Sequence, residues 1–135
     1  MVSVTVELRS VDGTQAGLGF GGGHTLVVDR PQGKAGGQAL GFNGAQLLGL
    51  ALGGCFFNDL QYVSAEMGLE LGRIAVSVLV DLESDLRRTK AMTMMVVCET
   101  LDGSDPQRVI DEAKARCMVS NTLQKGIHVA IETVA

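Results

Sequence analysis

Asn43-Gly44-Ala45-Gln46-Leu47-Leu48-Gly49-Leu50-Ala51-Leu52-Gly53-Gly54-Cys55-Phe56-Phe57 decides the fold. Asn43 has the chemistry of an N-cap, whose side-chain oxygen takes up a free backbone N–H of the first helical turn. From there the pattern is helical over residues 44–67, and Gly68 is a natural stop. Residues 47–57 are apolar all round, and a helix of that kind is buried on every side. A chain of 135 residues can hardly cover such a helix alone. A sheet on one side and a partner's helix on another are therefore expected. Gly49, Gly53 and Gly54 each cost about 1 kcal/mol of helix propensity. Close packing of another backbone explains them better than propensity does.

Outward from this helix, both flanks read as strands. Ile74, Val76, Val78, Val80 and Leu82 alternate with polar or small residues, the period of a half-buried strand. Residues 83–85 look like a turn, and residues 90–101 return as the second arm of a hairpin. Ser104-Asp105-Pro106 predicts a second helix with Pro at its first position, running to about Cys117-Met118. A short helical turn is expected over residues 120–123, ending at Gly126, and a last alternating strand over residues 127–132. Upstream, residues 2–9 alternate as a strand and Asp12-Gly13 marks a turn. Gly17 to Gly23 covers a short strand and a turn, residues 24–29 form another strand, and residues 32–41 a Gly-rich loop. Strands, long helix, hairpin, helix, strand is an α+β order, read as one domain over residues 1–135.

Composition narrows the function. Charged residues make up 19%, below the ~25% of ordinary globular chains, and there are 18 glycines. Such a surface points to burial against another subunit. The net charge of -4 argues against nucleic acid, whose recognition needs a basic footprint. No Lys/Arg cluster suits a membrane surface, and the longest apolar run is too short to span a bilayer. The N-terminus lacks the basic and apolar regions of a signal peptide, so a cytoplasmic protein is expected. Three cysteines in that compartment are poor candidates for a disulfide framework. Core packing, metal binding and redox chemistry stay open to them.

Cys55 lies midway along the buried helix. Val109, Ala113 and Cys117 share a helix face by i, i+4 spacing, so Cys117 points inward and the two cysteines can meet. Position alone leaves two readings, small core residues or a redox pair. Cys98 in its alternating strand reads as core. His24 and His128 show no ligand spacing, and no short zinc motif is present, so neither metal nor cofactor is expected. The run Gly17 to Gly23 lacks the Lys-Ser/Thr of a phosphate loop. Phe56 and Phe57 are core residues or a lining for an organic group, and Asp59 is a plain polar residue or a modulator of Cys55.

The string from Asn43 to Cys55 resembles the OsmC/Ohr motif N-P-E-x-L-L-x-A-x-x-G-x-C, and Gly53-Gly54-Cys55 followed by Asp59 is most similar to its OsmC-like branch. Cys117-Met118-Val119-Ser120-Asn121-Thr122-Leu123 resembles the second motif, C-P-V-S-N-x-L. The resemblance implies antiparallel sheets wrapped around a long central helix in an intertwined homodimer. It implies reduction of an organic hydroperoxide, with Cys55 attacking the peroxide, Cys117 resolving the sulfenic acid, and a dithiol restoring the pair.

Four family features are absent. The Pro and Glu of the first motif are Gly44 and Ala45, the Pro of the second is Met118, and Gln15 to Gly23 holds no Arg or Lys where the family's assisting Arg is usual. A thiolate is the attacking species. With Asp59 one turn on and no cation at the matching positions, either a basic group reaches Cys55 from elsewhere, such as the other subunit, or Cys55 is expected to be a weak nucleophile. The alternative is therefore an OsmC-like dimer with little or no peroxidase activity that binds a small molecule. Cys117, near a helix end where the dipole disfavours negative charge, suits resolution better than attack.

Overall fold

The computed structural model describes residues 1–134 and divides into two compact units, Met1–Leu48 and a second beginning at Gly49. The first unit carries β1 (Glu7–Ser10), β2 (Gly17–Gly21) and β3 (His24–Val28), an antiparallel sheet in the order β1-β2-β3. The expected strand over residues 2–9 is shortened. Pairing begins at Glu7, opposite Phe20, and Val2, Val4 and Val6 stay exposed.

The loop after β3 is organised by Asp29. Its buried carboxylate accepts the backbone N–H groups of Arg30 (2.7 Å), Gln38 (3.1 Å) and Leu40 (3.0 Å), and Arg30 pairs with it at 3.3 Å. The hydrogen bond to Leu40, chief among these, holds the Asp29 carboxyl below its ordinary value. Phe42 then donates to the Val27 carbonyl at 2.9 Å. Gly41 is required at this crossing, because a Cβ there would stand 2.0 Å from the Val27 carbonyl oxygen. The chain is thus delivered to Asn43, where the expected cap is complete. Asn43 Oδ1 accepts the Gln46 N–H and Gln46 Oε1 accepts the Asn43 N–H, both at 2.9 Å, a reciprocal capping box.

α1 (Gly44–Glu66) opens there and ends at Gly68, whose φ of +69° is the left-handed stop expected of it. In the second unit α1 packs on the antiparallel hairpin of β4 (Leu71–Leu82) and β5 (Thr89–Thr100). Leu52, Phe56, Leu60 and Val63, spaced i, i+4, i+8 and i+11, form one core with Cys98, Val109, Ala113 and Cys117. Gly49 and Gly53 are accounted for here. A Cβ at Gly49 would stand 3.2 Å from Val80 Cγ2, and one at Gly53 3.1 Å from Val78 Cγ2. The close neighbour is therefore valine side chains of β4 rather than a backbone. Gly54 faces open space in the chain, and the same side of α1 exposes Leu50 and Phe57.

α2 (Gln107–Arg116) and α3 (Met118–Lys125) complete the unit, and three expectations change. Pro106 occupies the N-cap position, one residue earlier than expected, while Asp105 Oδ1 accepts the Gln107 N–H at 3.0 Å. α2 stops at Arg116 because Cys117 leaves helical geometry, with ψ of 105°. α3 is then a two-turn helix in place of the short turn. Residues 127–132 do not form the expected strand. Alternation prescribes two faces but a ladder needs an unpaired neighbour, and Ile127, Val129 and Ile131 remain exposed. Among the described residues no helix is long and apolar enough to cross a membrane.

Candidate functional site

Cys55 is held midway along α1, half-buried against the core it shares with Phe56. Asp59 follows one turn later on the same face, only 9% exposed. Its Oδ2 lies 3.8 Å from Cys55 Sγ, with the thiol as donor. Cys117 enters from the other side, at the junction of α2 and α3, and is fully buried. The sulfurs of Cys55 and Cys117 and a carboxylate oxygen of Asp59 all lie within 4.8 Å of one another. The two cysteines, far apart in sequence, thus do meet. Both are free thiols, as is Cys98, which sits opposite Ile74 in the hairpin and outside this cluster.

Cys117 occupies a different electrostatic position from the one its sequence suggests. It terminates α2, but it is also the N-cap residue of α3. The Ser120 backbone N–H, in the first turn of α3, works to lower the Cys117 thiol. Burial is the larger effect and pushes the Cys117 thiol above its ordinary value. The neighbouring Cys55 thiol, as hydrogen-bond and charge partner, and the Asp59 charge push the same way, while Ser120 opposes them. The fragment Met118-Val119-Ser120 could have announced this only if a second helix start had been recognised directly after the cysteine.

No cation balances the cluster within the described residues. Arg9 pairs with Glu7, Arg30 with Asp29, and Arg116 bridges Glu66 and Glu112 at 2.9 and 3.0 Å. None of these pairs involves Asp59. The two phenylalanines part company: Phe56 is 1% exposed in the core beneath Cys55, whereas Phe57 is 40% exposed on the opposite face of α1.

A family model described as OsmC-like protein matches residues 36–132, a span that includes both cysteines and Asp59. Among solved structures, an OsmC-like protein from Mycoplasma pneumoniae superposes with a TM-score of 0.75 at 14% identity, over 91% of this chain and 88% of that one. An organic hydroperoxide resistance protein OsmC, a predicted redox protein from Legionella pneumophila, gives 0.64 at 15% identity over 92% and 90%. The organic hydroperoxide resistance protein OhrB of Bacillus subtilis gives 0.57 at 23% identity over 90% of each chain. At these identities the structural likeness speaks for the fold. No curated protein sequence matches the chain.

Proposed function

The chain belongs to the OsmC family, and on that premise we propose that it reduces organic hydroperoxides through Cys55 and Cys117 as part of a cytoplasmic defence against oxidation. The observation that carries this reading is the meeting of the two sulfurs within 4.8 Å, one half-buried and one sealed in the core. The Cys55 thiolate attacks the distal peroxide oxygen, the O–O bond breaks, and the alkoxide leaves with a proton as the alcohol. Cys55 is now a sulfenic acid. Cys117 attacks that sulfur, its proton and the hydroxyl leave as water, and a disulfide forms. An external dithiol takes the oxidation and returns both cysteines to thiols. Phe56 supplies an apolar floor beside the reacting sulfur.

The reading includes a homodimer. Leu50 and Phe57 on the outward side of α1 are 53% and 40% exposed, and Ile127, Val129 and Ile131 alternate along an exposed tail. A second copy of the chain would cover the first set and offer a strand edge to the second. Light scattering that gives the mass of a single chain at micromolar concentration would contradict it.

The thiol chemistry is tested by counting free thiols in the reduced, folded protein before and after one equivalent of an organic hydroperoxide. The expected loss is two of the three per chain, abolished by Cys55→Ser. An unchanged count in folded protein sinks the enzyme reading. It would favour a second one, a small-molecule binder. That alternative rests on the carboxylate, rather than a cation, beside Cys55, and on a hollow of about 340 Å³ in the first unit lined by Val6, Leu8, Phe20, Leu26, Val28 and Leu47.

A further inference from the structure

We propose that the reduced site binds one thiophilic divalent cation of the zinc class per chain, held by Cys55 Sγ, Cys117 Sγ and an Asp59 carboxylate oxygen. Geometry carries this site, independently of the peroxide chemistry. Zinc takes thiolate sulfur at about 2.3 Å and carboxylate oxygen at about 2.0–2.2 Å in a tetrahedron. Those lengths set the edges of the tetrahedron at about 3.8 Å for two sulfurs and about 3.6 Å for sulfur and oxygen. Cys55 Sγ and Asp59 Oδ2 stand 3.8 Å apart, and all three ligand atoms fall within 4.8 Å. Small rotations about side-chain bonds close the remaining gap.

The electrostatics point the same way. A carboxylate only 9% exposed, beside two thiols and without a cation among the described residues, is a place where a positive charge is missing. The ligand types also select the metal. Two thiolates favour zinc-class ions over magnesium or calcium, which want oxygen on every side. The ligand set escapes the sequence because no short spacing announces it. Cys55 and Asp59 are one helical turn apart, but the third ligand arrives from a distant helix junction. That junction is fixed by the local backbone, since Asn121 donates its N–H to the Cys117 carbonyl at 2.9 Å.

Binding is written so that charge balances. Two thiol protons leave to solvent, and the cation with two thiolate ligands and one carboxylate ligand carries a net charge of minus one. A water molecule takes the fourth position on the half-open Cys55 side. Both sulfurs then direct a lone pair at the metal, so the bound form resists oxidation.

The reduced full chain is titrated with cobalt(II), whose thiolate charge-transfer absorption reports sulfur ligation, and with zinc in competition with a chromophoric chelator. One equivalent per chain is expected. Cys55→Ser and Cys117→Ser should each weaken zinc at least about 100-fold and Asp59→Asn about 10- to 100-fold, with Cys98→Ser unchanged. Absence of the charge-transfer band in folded, reduced protein would overturn the proposal. So would equal zinc affinity in wild type, Cys55→Ser and Asp59→Asn, which places the ion elsewhere. Far-UV dichroism checks folding, and should buried Cys117→Ser fail to fold, Cys55→Ser and Asp59→Asn carry the test alone. A chain that binds zinc yet keeps its thiols through hydroperoxide treatment refutes only the peroxidase reading. One that loses two thiols yet binds no zinc refutes only this one.

Discussion

Replacing Cys117 by alanine isolates the first half of the proposed reaction. The wild-type chain has three thiols, so one equivalent of hydroperoxide should leave a single one, Cys98. Cys117→Ala starts with two and should keep one, its Cys55 halted as a sulfenic acid once the Cys117 sulfur within 4.8 Å of it is gone. Dimedone then adds once per chain, and mass spectrometry places the adduct on Cys55. With excess peroxide the same sulfur proceeds to sulfinic acid, which dithiols do not reverse. The substitution removes one fully buried sulfur from the core, a loss of about 1 kcal/mol by comparison with small truncations. For a chain of this size that lowers Tm by roughly 3–6 °C, so the variant stays folded for the assay. Loss of both remaining thiols in Cys117→Ala would refute the reasoning, because it would make Cys98, of the same chain or of another, the resolving group. Non-reducing electrophoresis separates those two outcomes.

Other consequences concern the frame around the site. Phe56→Ala empties a fully packed core position and should destabilise the protein by about 3–5 kcal/mol in urea unfolding. Gly41→Ala drives a Cβ against the Val27 carbonyl, where only backbone can yield, and should cost about 1–3 kcal/mol by the same measurement. Burial raises the Cys98 and Cys117 thiols, so their contribution to stability is present below the ordinary thiol range and lost as pH climbs through their raised values. The Tm of the reduced protein should therefore fall on the alkaline side, less steeply in Cys98→Ser. Asp29 is lowered, so its contribution holds above the ordinary carboxylate range and disappears as pH falls through its lowered value, an acid-side loss of Tm that Asp29→Asn should remove.

How far the sequence is legible depends on the range of each force. Local signals were legible. Asn43 and Gln46 form the cap, Gly68 ends α1, and alternation in β4 and β5 pairs Val76 with Val96 and Val78 with Met94. Partners were not. The alternation of residues 127–132 is as regular as that of β4, yet a strand exists only where another edge lies beside it. Gly53 signalled a close neighbour without identifying it as Val78. For the site, i, i+4 spacing turned Cys117 inward, and Val109, Ala113 and Cys117 are all fully buried. The helix break at Cys117 was hidden, since it depends on a single ψ angle at a residue flanked by helix formers.

That break matters to how the site works. Had α2 run through Cys117, the sulfur would sit only at a helix C-terminus, facing carbonyl oxygens. Leaving the helix at ψ of 105° makes it instead the N-cap of α3, where the Ser120 N–H works against the upward push of burial on the thiol. The same arrangement serves both proposed fates of the reduced pair. A disulfide uses one lone pair of Cys117 against the Cys55 sulfur, and a zinc-class ion uses it against the metal. The two cannot occur together, so metal occupancy should slow thiol loss to peroxide without altering which thiols are lost. The contest is set by Asp59. Its carboxylate completes the proposed cation site, and it brings no positive charge to the sulfur on which attack depends. In the family pattern the first cysteine is assisted by an Arg and a Glu. Here Gly44 and Ala45 replace the Pro-Glu of that motif, and the ionisable side chain bonded to Cys55 is an acid that suits a metal better than a peroxide.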